Sequence, residues 1–199
     1  MVGDRENSKI LTGIYAGSFN PVHIGHLALA NWLCEYTELD EVWFLVSPQN
    51  PFKEKSGLID DQLRFEWVRK AVAGYPRFKA SDIEFGMPQP SYTIDTLTLL
   101  SERYPDREFY LIIGADNVAN FHKWKAADRL ISDFHILVYP REGYSSVIPA
   151  AFQQSMKLVN APLFEVSSSF IREACAEGRD VRFFLPESIR EDFLSYIRS

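Results

Sequence analysis

The chain has 199 residues, 46% hydrophobic and 24% charged, the make-up of an ordinary folded protein of about one domain. Its formal net charge of −6 speaks against a broad basic face for nucleic acid, though not against a local cluster of donors for a small anion. No apolar run approaches the roughly 20 residues that a membrane-crossing helix needs. The polar start MVGDRENSK has no leader character, so the expectation is a cytoplasmic protein with neither nucleic-acid nor membrane partners.

Residues 1–9 read as a polar tail and residues 10–199 as one domain. The apolar run at 10–16 (ILTGIYA) predicts a buried strand. Residues 24–36 have helical spacing, with Leu27, Ala28, Trp32 and Tyr36 near one stripe. Residues 41–47 (EVWFLVS) are rich in β-formers and predict a second strand. After the loop SPQNPFKEKSG, a helix is predicted over 59–73, begun near Asp60 and Asp61 where acids suit a helix N-terminus. Residues 78–84 predict a third, shorter strand, 86–90 a break, and 92–104 a helix with Ser91 as its cap. Residues 108–113 (EFYLII) predict a strand that stops at Gly114. A short helix follows over 126–131, then a strand over 134–139 (FHILVY) and the turn PREGYS. Residues 157–166 predict one or two last strands, and 168–177 and 187–197 two helices separated by Gly178 and Pro186. Cys34 and Cys175 fall in helical segments and read as small core side chains of a reducing compartment. Strands alternating with helices predict an α/β fold, Rossmann-like and doubly wound, with a mostly parallel sheet and helices on both faces. In such sheets ligands sit at the carboxyl ends of the strands, where the strand order reverses.

Directly after the first strand stands GSFNPVHIGH, residues 17–26. Gly17 allows an unusual backbone conformation and close approach of a ligand. His23 and His26 are three apart at a helix start, so they share one face, where free N–H groups and the positive dipole end add to them. Together they suit a phosphate that gains charge in a transition state. The segment is neither GxGxxG nor a P-loop. A second phosphate candidate is VSSSFIR, residues 166–172, where serines open a helix and Arg172 presents a fork of donors; an ordinary N-cap is the alternative. Three further segments offer donors and a ring. PSYTIDTL has helix-start amides suited to a carboxylate, IIGADN has Gly114 and Asp116 suited to a ribose, and FHKWK has Trp124 suited to stacking on a flat cation. Singly, Ser91 could equally be an N-cap, Asp116 a helix start and Trp124 a core aromatic.

The first segment resembles the GxFxPxHxGH signature of the nucleotidylyltransferase superfamily. In that superfamily one substrate's phosphate attacks the α-phosphate of a nucleoside triphosphate, and pyrophosphate leaves without a covalent enzyme intermediate. It spells the HIGH tetrapeptide shared with class I aminoacyl-tRNA synthetases, but the chain has no KMSKS segment and no room for an anticodon domain. The serine segment resembles the superfamily's ISSTxIR, with Ser169 for the usual Thr. With PSYTxDTL, IIGAD and the following Trp, nearly the whole chain is similar to the bacterial nicotinate-nucleotide adenylyltransferases.

That resemblance implies that ATP is held by Gly17, Ser18, Phe19, His23, Gly25, His26, Gly114, Asp116, Ser168, Ser169 and Arg172, with Mg²⁺ bridging its phosphates. His23, His26 and Arg172 would be the catalytic group, with His26 on the α-phosphate and His23 on the triphosphate. Nicotinate mononucleotide would be bound by Lys53, Ser91, Tyr92, Thr93, Trp124 and Lys125. Amides around Thr93 and Lys125 would take the carboxylate, Trp124 would stack on the pyridine ring, and Lys53 would lie near the substrate phosphate. Asn20 replaces the commoner Asp and carries no charge. The implied reaction is adenylyl transfer from ATP to nicotinate mononucleotide, giving deamido-NAD and pyrophosphate. The same chemistry on nicotinamide mononucleotide or pantetheine phosphate is an alternative, as is a catalytically silent nucleotide-binding module. A homo-oligomer is compatible with all of these.

Overall fold

A computed structural model describes residues 8–48, 58–145 and 147–198. The apolar runs form strands β1 (Ile10–Gly17), β2 (Glu41–Val46), β3 (Phe78–Ser81), β4 (Arg107–Gly114), β5 (His135–Tyr139) and β6 (Met156–Leu158). The amphipathic stretches form helices α1 (Ile24–Tyr36), α2 (Asp61–Val72), α3 (Thr93–Arg103), α4 (Ala115–Val118), α5 (Ala127–Asp133), α6 (Ser168–Ala176) and α7 (Glu187–Arg198). The sheet order is β3-β2-β1-β4-β5-β6. Every pairing is parallel, with Gly17 beside Val46 and Gly114 beside Tyr139 at the carboxyl edge.

The order reverses between β1 and β4, so right-handed crossovers place helices on both faces of the sheet. This is the Rossmann-like, doubly wound α/β arrangement that the alternation predicts. Along β2 the strand period of two is visible: Val42, Phe44 and Val46 join one apolar cluster, while Trp43 and Leu45 join the other. The first cluster is closed by Leu29 and Leu33 of α1, Trp67 of α2 and Phe193 of α7, and the second by Leu97 and Leu100 of α3 and Leu130 of α5. With both faces covered, β2 is buried at every position.

Several boundaries differ from the sequence reading. β3 ends at Ser81 rather than residue 84, because the Phe85 amide turns back to Asp82 O at 2.8 Å and a 3-10 helix (Ile83–Gly86) carries Glu84 inward. The expected strands over 157–166 reduce to β6. The Val159 amide still reaches Val138 O at 2.9 Å, but β5 then ends and the chain crosses the carboxyl edge as irregular backbone. α2 starts at Asp61, where Asp60 Oδ1 accepts from the Leu63 amide at 3.1 Å. The N-cap of α3 is Tyr92, not Ser91. Both cysteines are free. Cys34 is in the core, its thiol pushed up to about 11 chiefly by burial, but Cys175 is only partly buried and is not a core side chain.

Candidate active site

At the end of β1 the chain leaves the sheet and crosses its carboxyl edge to reach α1. The left-handed residue in this crossing is Phe19 (φ 44°), not Gly17. Gly17 matters for a different reason: a Cβ there would stand 3.2 Å from the Phe19 ring, which would have to give way by a few tenths of an ångström. That ring is buried and meets His26 edge-on at 5.0 Å. His23 is the N-cap of α1, and its amide donates to His26 Nδ1 at 3.2 Å. The two imidazoles stack with centroids 3.6 Å apart. A Cβ on Gly25 would lie 3.1 Å from His23 Nδ1, so glycine lets that ring rest against the helix backbone. The Ile24 amide is not free for a ligand, since it donates to Phe184 O at 3.1 Å.

Burial, with the charge of Arg141 added, lowers the His23 imidazole to about 4. Burial also holds His26 well below the usual range, helped by His23 and Arg141. Both rings are therefore neutral at pH 7. Because His26 Nδ1 accepts a hydrogen bond, its proton sits on Nε2, which makes His26 a donor toward a ligand. Among the described residues, the buried His23 Nδ1 has no hydrogen-bond partner.

The second phosphate segment packs directly on this loop. Ser167 caps α6, accepting from the Phe170 amide at 3.1 Å. Ser168 Oγ donates to Pro21 O at 2.8 Å, and Arg172 Nη1 donates to Asn20 O at 2.6 Å. Arg172 Nη2 donates to Ser169 Oγ at 3.3 Å, so part of the expected free fork is used to hold the two motifs together. Asn20 is buried, and its Oδ1 accepts from the Ile59 amide at 3.2 Å. The side chain is thus a strut between loops, a role that needs an acceptor and no charge.

On the other side of the switch point, Ser91 Oγ donates to Glu84 Oε2 at 3.0 Å and Thr96 Oγ1 to Glu84 Oε1 at 2.9 Å. The Ser91 hydroxyl is therefore already engaged within the protein, while the first amides of α3, near Thr93, lack intrahelical partners as at any helix start. Trp124 is half-buried and packs on Phe121 with centroids 5.2 Å apart. Lys125 Nζ bonds Asp95 Oδ2 at 2.8 Å and lies 4.5 Å above the Tyr92 ring. At the end of β4, a Cβ on Gly114 would fall 2.2 Å from Asp116 Oδ1, so only glycine admits that carboxylate position.

These elements enclose one cavity of about 1490 Å³ at the carboxyl edge. It is lined by Gly17, Ser18, Phe19, His23, Gly25, His26, Ser91, Tyr92, Thr93, Gly114, Asp116, Trp124, Lys125, Ser168, Ser169 and Arg172. Lys53 lies outside the described residues. The volume exceeds the roughly 300–1,000 Å³ usual for one small ligand, which suits two nucleotides side by side.

Tyr15, Tyr139 and Arg141 are among the lining residues that the sequence did not single out. Arg141 follows β5 by two residues, so the rule that singled out Gly114 after β4 could also have found it. Arg64 gave no signal at all. On an amphipathic helix it reads as solvent-facing, yet it is fully buried and donates to the carbonyls of Ser18, Ser47 and Ile59.

The cytidylyltransferase-like family model matches residues 14–174. A protein of Bacteroides thetaiotaomicron, described as a probable nicotinate-nucleotide adenylyltransferase, is 54% identical over 193 residues, spanning 97% of this chain and 95% of that relative. The chain belongs to the nicotinate-nucleotide adenylyltransferases of the cytidylyltransferase-like family. A Bacteroides fragilis member of the same description is 53% identical, over 92% of this chain and 90% of its own. The fold is shared with the Plasmodium falciparum nicotinic acid mononucleotide adenylyltransferase solved with NaAD, at a TM-score of 0.76 and 18% identity, covering 94% of this chain and 95% of that one. The same enzyme solved with APC gives a TM-score of 0.75 at 17% identity, with the same coverage.

For an adenylyltransferase of this family, a triphosphate substrate calls for a divalent metal. Among the described residues no group of three or more His, Cys, Asp and Glu is placed to hold one. The phosphate side of the cavity instead offers hydroxyls, imidazoles and a guanidinium. That donor set fits an ion carried in on the phosphates rather than one caged by protein. Among the described residues no helix is long and apolar enough to cross a membrane.

Proposed function

We propose that the protein transfers the adenylyl group of ATP to nicotinate mononucleotide, releasing pyrophosphate and forming deamido-NAD, and that it does so in the cytoplasm. The observation that carries this reading is the union of the two phosphate motifs. Asn20 and Pro21 are bonded to Arg172 and Ser168, within a cavity that also holds Asp116 and Trp124.

In this reading the ATP ribose rests on Asp116 and Gly114. The triphosphate lies between the histidine pair and the start of α6, near Ser169 and Arg172. Mg²⁺ brought in with ATP would lie beside the hydroxyls of Ser168 and Ser169 and would supply charge neutralisation there. Nicotinate mononucleotide stacks its pyridine on Trp124 and sets its carboxylate against backbone amides near Thr93 and Lys125. Lys53 is assigned to its phosphate.

An oxygen of that phosphate attacks the α-phosphorus. The new O–P bond forms as the bond to the bridging oxygen breaks, and the electron pair leaves with pyrophosphate. The attacking phosphate, with a second pKa of about 6, is mostly a dianion at neutral pH. No proton has to be removed, so the site needs donors and not a base. A neutral His26 with its proton on Nε2 meets that need, stabilising charge on the α-phosphate as it grows.

Pyrophosphate release from ATP, measured with nicotinate mononucleotide, nicotinamide mononucleotide and pantetheine phosphate in turn, tests the reading. The expected kcat/KM is higher for the acid than for the amide by about tenfold or more, the worth of one charge-assisted hydrogen bond. Chelation should abolish turnover and Mg²⁺ restore it. A preference for the amide overturns the acceptor assignment. ATP binding with no pyrophosphate release from any acceptor would return the protein to a silent nucleotide-binding module.

A further inference from the structure

Among the described residues, Arg141 is the cation lining the cavity with the weakest hold. Its Nε faces Asp116 Oδ1 at 3.4 Å, long for a charge-assisted bond, and the side chain is half exposed. An exposed pair of this kind is easily exchanged. Other cationic side chains lining the cavity have firmer ties: Lys123 to Asn120 Oδ1 at 2.9 Å, Lys125 to Asp95 at 2.8 Å, and Arg172 to Asn20 O at 2.6 Å.

The place it occupies is specific. The Arg141 stem packs against the bare backbone of Gly114, where a Cβ would meet its Cγ at 3.1 Å and its Nε at 3.2 Å. Its guanidinium carbon is 5.7 Å from the centre of the Tyr139 ring. From there its charge reaches both His23 and His26. Arg141 thus touches the carboxylate assigned to the ribose, while its charge acts on the imidazoles assigned to the phosphates in the same cavity.

We propose that Arg141 is a phosphate ligand of this enzyme: on ATP binding the ribose hydroxyls take over Asp116, and the released guanidinium turns to the α-phosphate. The exchange is chemically matched. Ribose hydroxyls are donors and replace Nε at the carboxylate, while a guanidinium presents paired N–H groups that fit two phosphate oxygens. The resting pair keeps the arginine beside its target without committing it. The proposal rests on the adenylyltransferase reading for the identity of the triphosphate.

The test compares Arg141→Gln and Arg141→Lys with the wild type, using two probes, adenosine and ATP. Calorimetry measures affinity, pyrophosphate release measures turnover, and thermal melting checks folding. Arg141→Gln should bind adenosine within about twofold of wild type but ATP roughly 10–100-fold more weakly, with kcat lower by about 10². Arg141→Lys, a point charge without the fork, should recover part of both. Equal weakening of adenosine and ATP would show that Arg141 acts only by holding Asp116, and would overturn the proposal. Unchanged ATP affinity and turnover would overturn it as well. Failure of the broader reading looks different: wild type would release no pyrophosphate with nicotinate mononucleotide, and the adenosine–ATP comparison would still decide the role of Arg141.

Discussion

His23 and His26 are kept neutral by burial first and by the nearby guanidinium of Arg141 as well, and this has a measurable consequence for stability. An unfolded histidine titrates near 6.5, whereas His23 in the folded chain titrates at about 4. Between these values the unfolded chain binds more protons than the folded one, so stability falls as pH drops from about 6.5 towards 4 and is fully present above 6.5. Over that window His23 should account for roughly 3 kcal/mol. Urea unfolding at several pH values, for wild type and His23→Gln, isolates this share; identical pH profiles for the two would refute it. His26 is proposed to have the more direct role. His26→Ala should lower turnover by about 10²–10³ while the melting temperature stays close to wild type. Near-normal turnover in a folded variant would remove His26 from the mechanism. The histidines and their spacing could be read from the chain. Their neutrality could not, because it comes from what the fold places around them.

α3 shows how an element's role can be legible while the reason for it is not. The segment PSYT marks a helix start, and it is one. The helix is held from behind by Glu84, whose carboxylate receives the hydroxyls of Ser91 and Thr96. Glu84 was read as the end of a strand, since nothing local distinguishes an edge residue from one turned inward. Glu84→Ala should cost about 1–3 kcal/mol by removing the acceptor of the buried Ser91 hydroxyl and leaving Thr96 Oγ1 to the Tyr92 carbonyl at 3.2 Å. It should also raise KM for nicotinate mononucleotide more than KM for ATP, since the start of α3 is proposed to hold the acceptor. Urea titration and paired KM measurements check both parts; an equal rise in the two KM values would mean that α3 does not serve the acceptor alone.

Across the whole molecule, the two edges of the sheet do different work. At the amino edge, Glu41 gathers Thr12, Trp43 and Arg107 on one carboxylate oxygen at 2.8–2.9 Å, with Lys79 on the other at 3.1 Å. Burial opposes its ionisation, but hydrogen bonds from Lys79, Arg107 and Thr12 outweigh that and hold it below the ordinary carboxylate range. At the carboxyl edge, buried Arg64 ties the loops after β1 and β2 to the start of α2. Arg64→Met would take this donor from the buried Ile59 carbonyl and from the partly buried carbonyls of Ser18 and Ser47, and leave Asp61 without its ion pair. The expected loss is about 3 kcal/mol, or roughly 6–12 °C in melting temperature. Scanning calorimetry checks it, and a shift below a degree or two would show the loops to be held by other means.

The order of strands and helices, the parallel sheet and the two candidate phosphate segments are properties of the chain by itself. They rest on periodicity, turn residues and short motifs, which act over a few to about 15 residues and leave a local trace. The tertiary structure decided which groups are available to a ligand. It placed Arg172 against Asn20 across 152 residues of sequence, engaged Ser91 with Glu84, and moved the strained backbone from Gly17 to Phe19. It also brought Arg141 to Asp116, in the cavity that the histidines line. Partners so distant in sequence leave no local pattern, because which polar group meets which is settled only when the sheet and its two helical layers close.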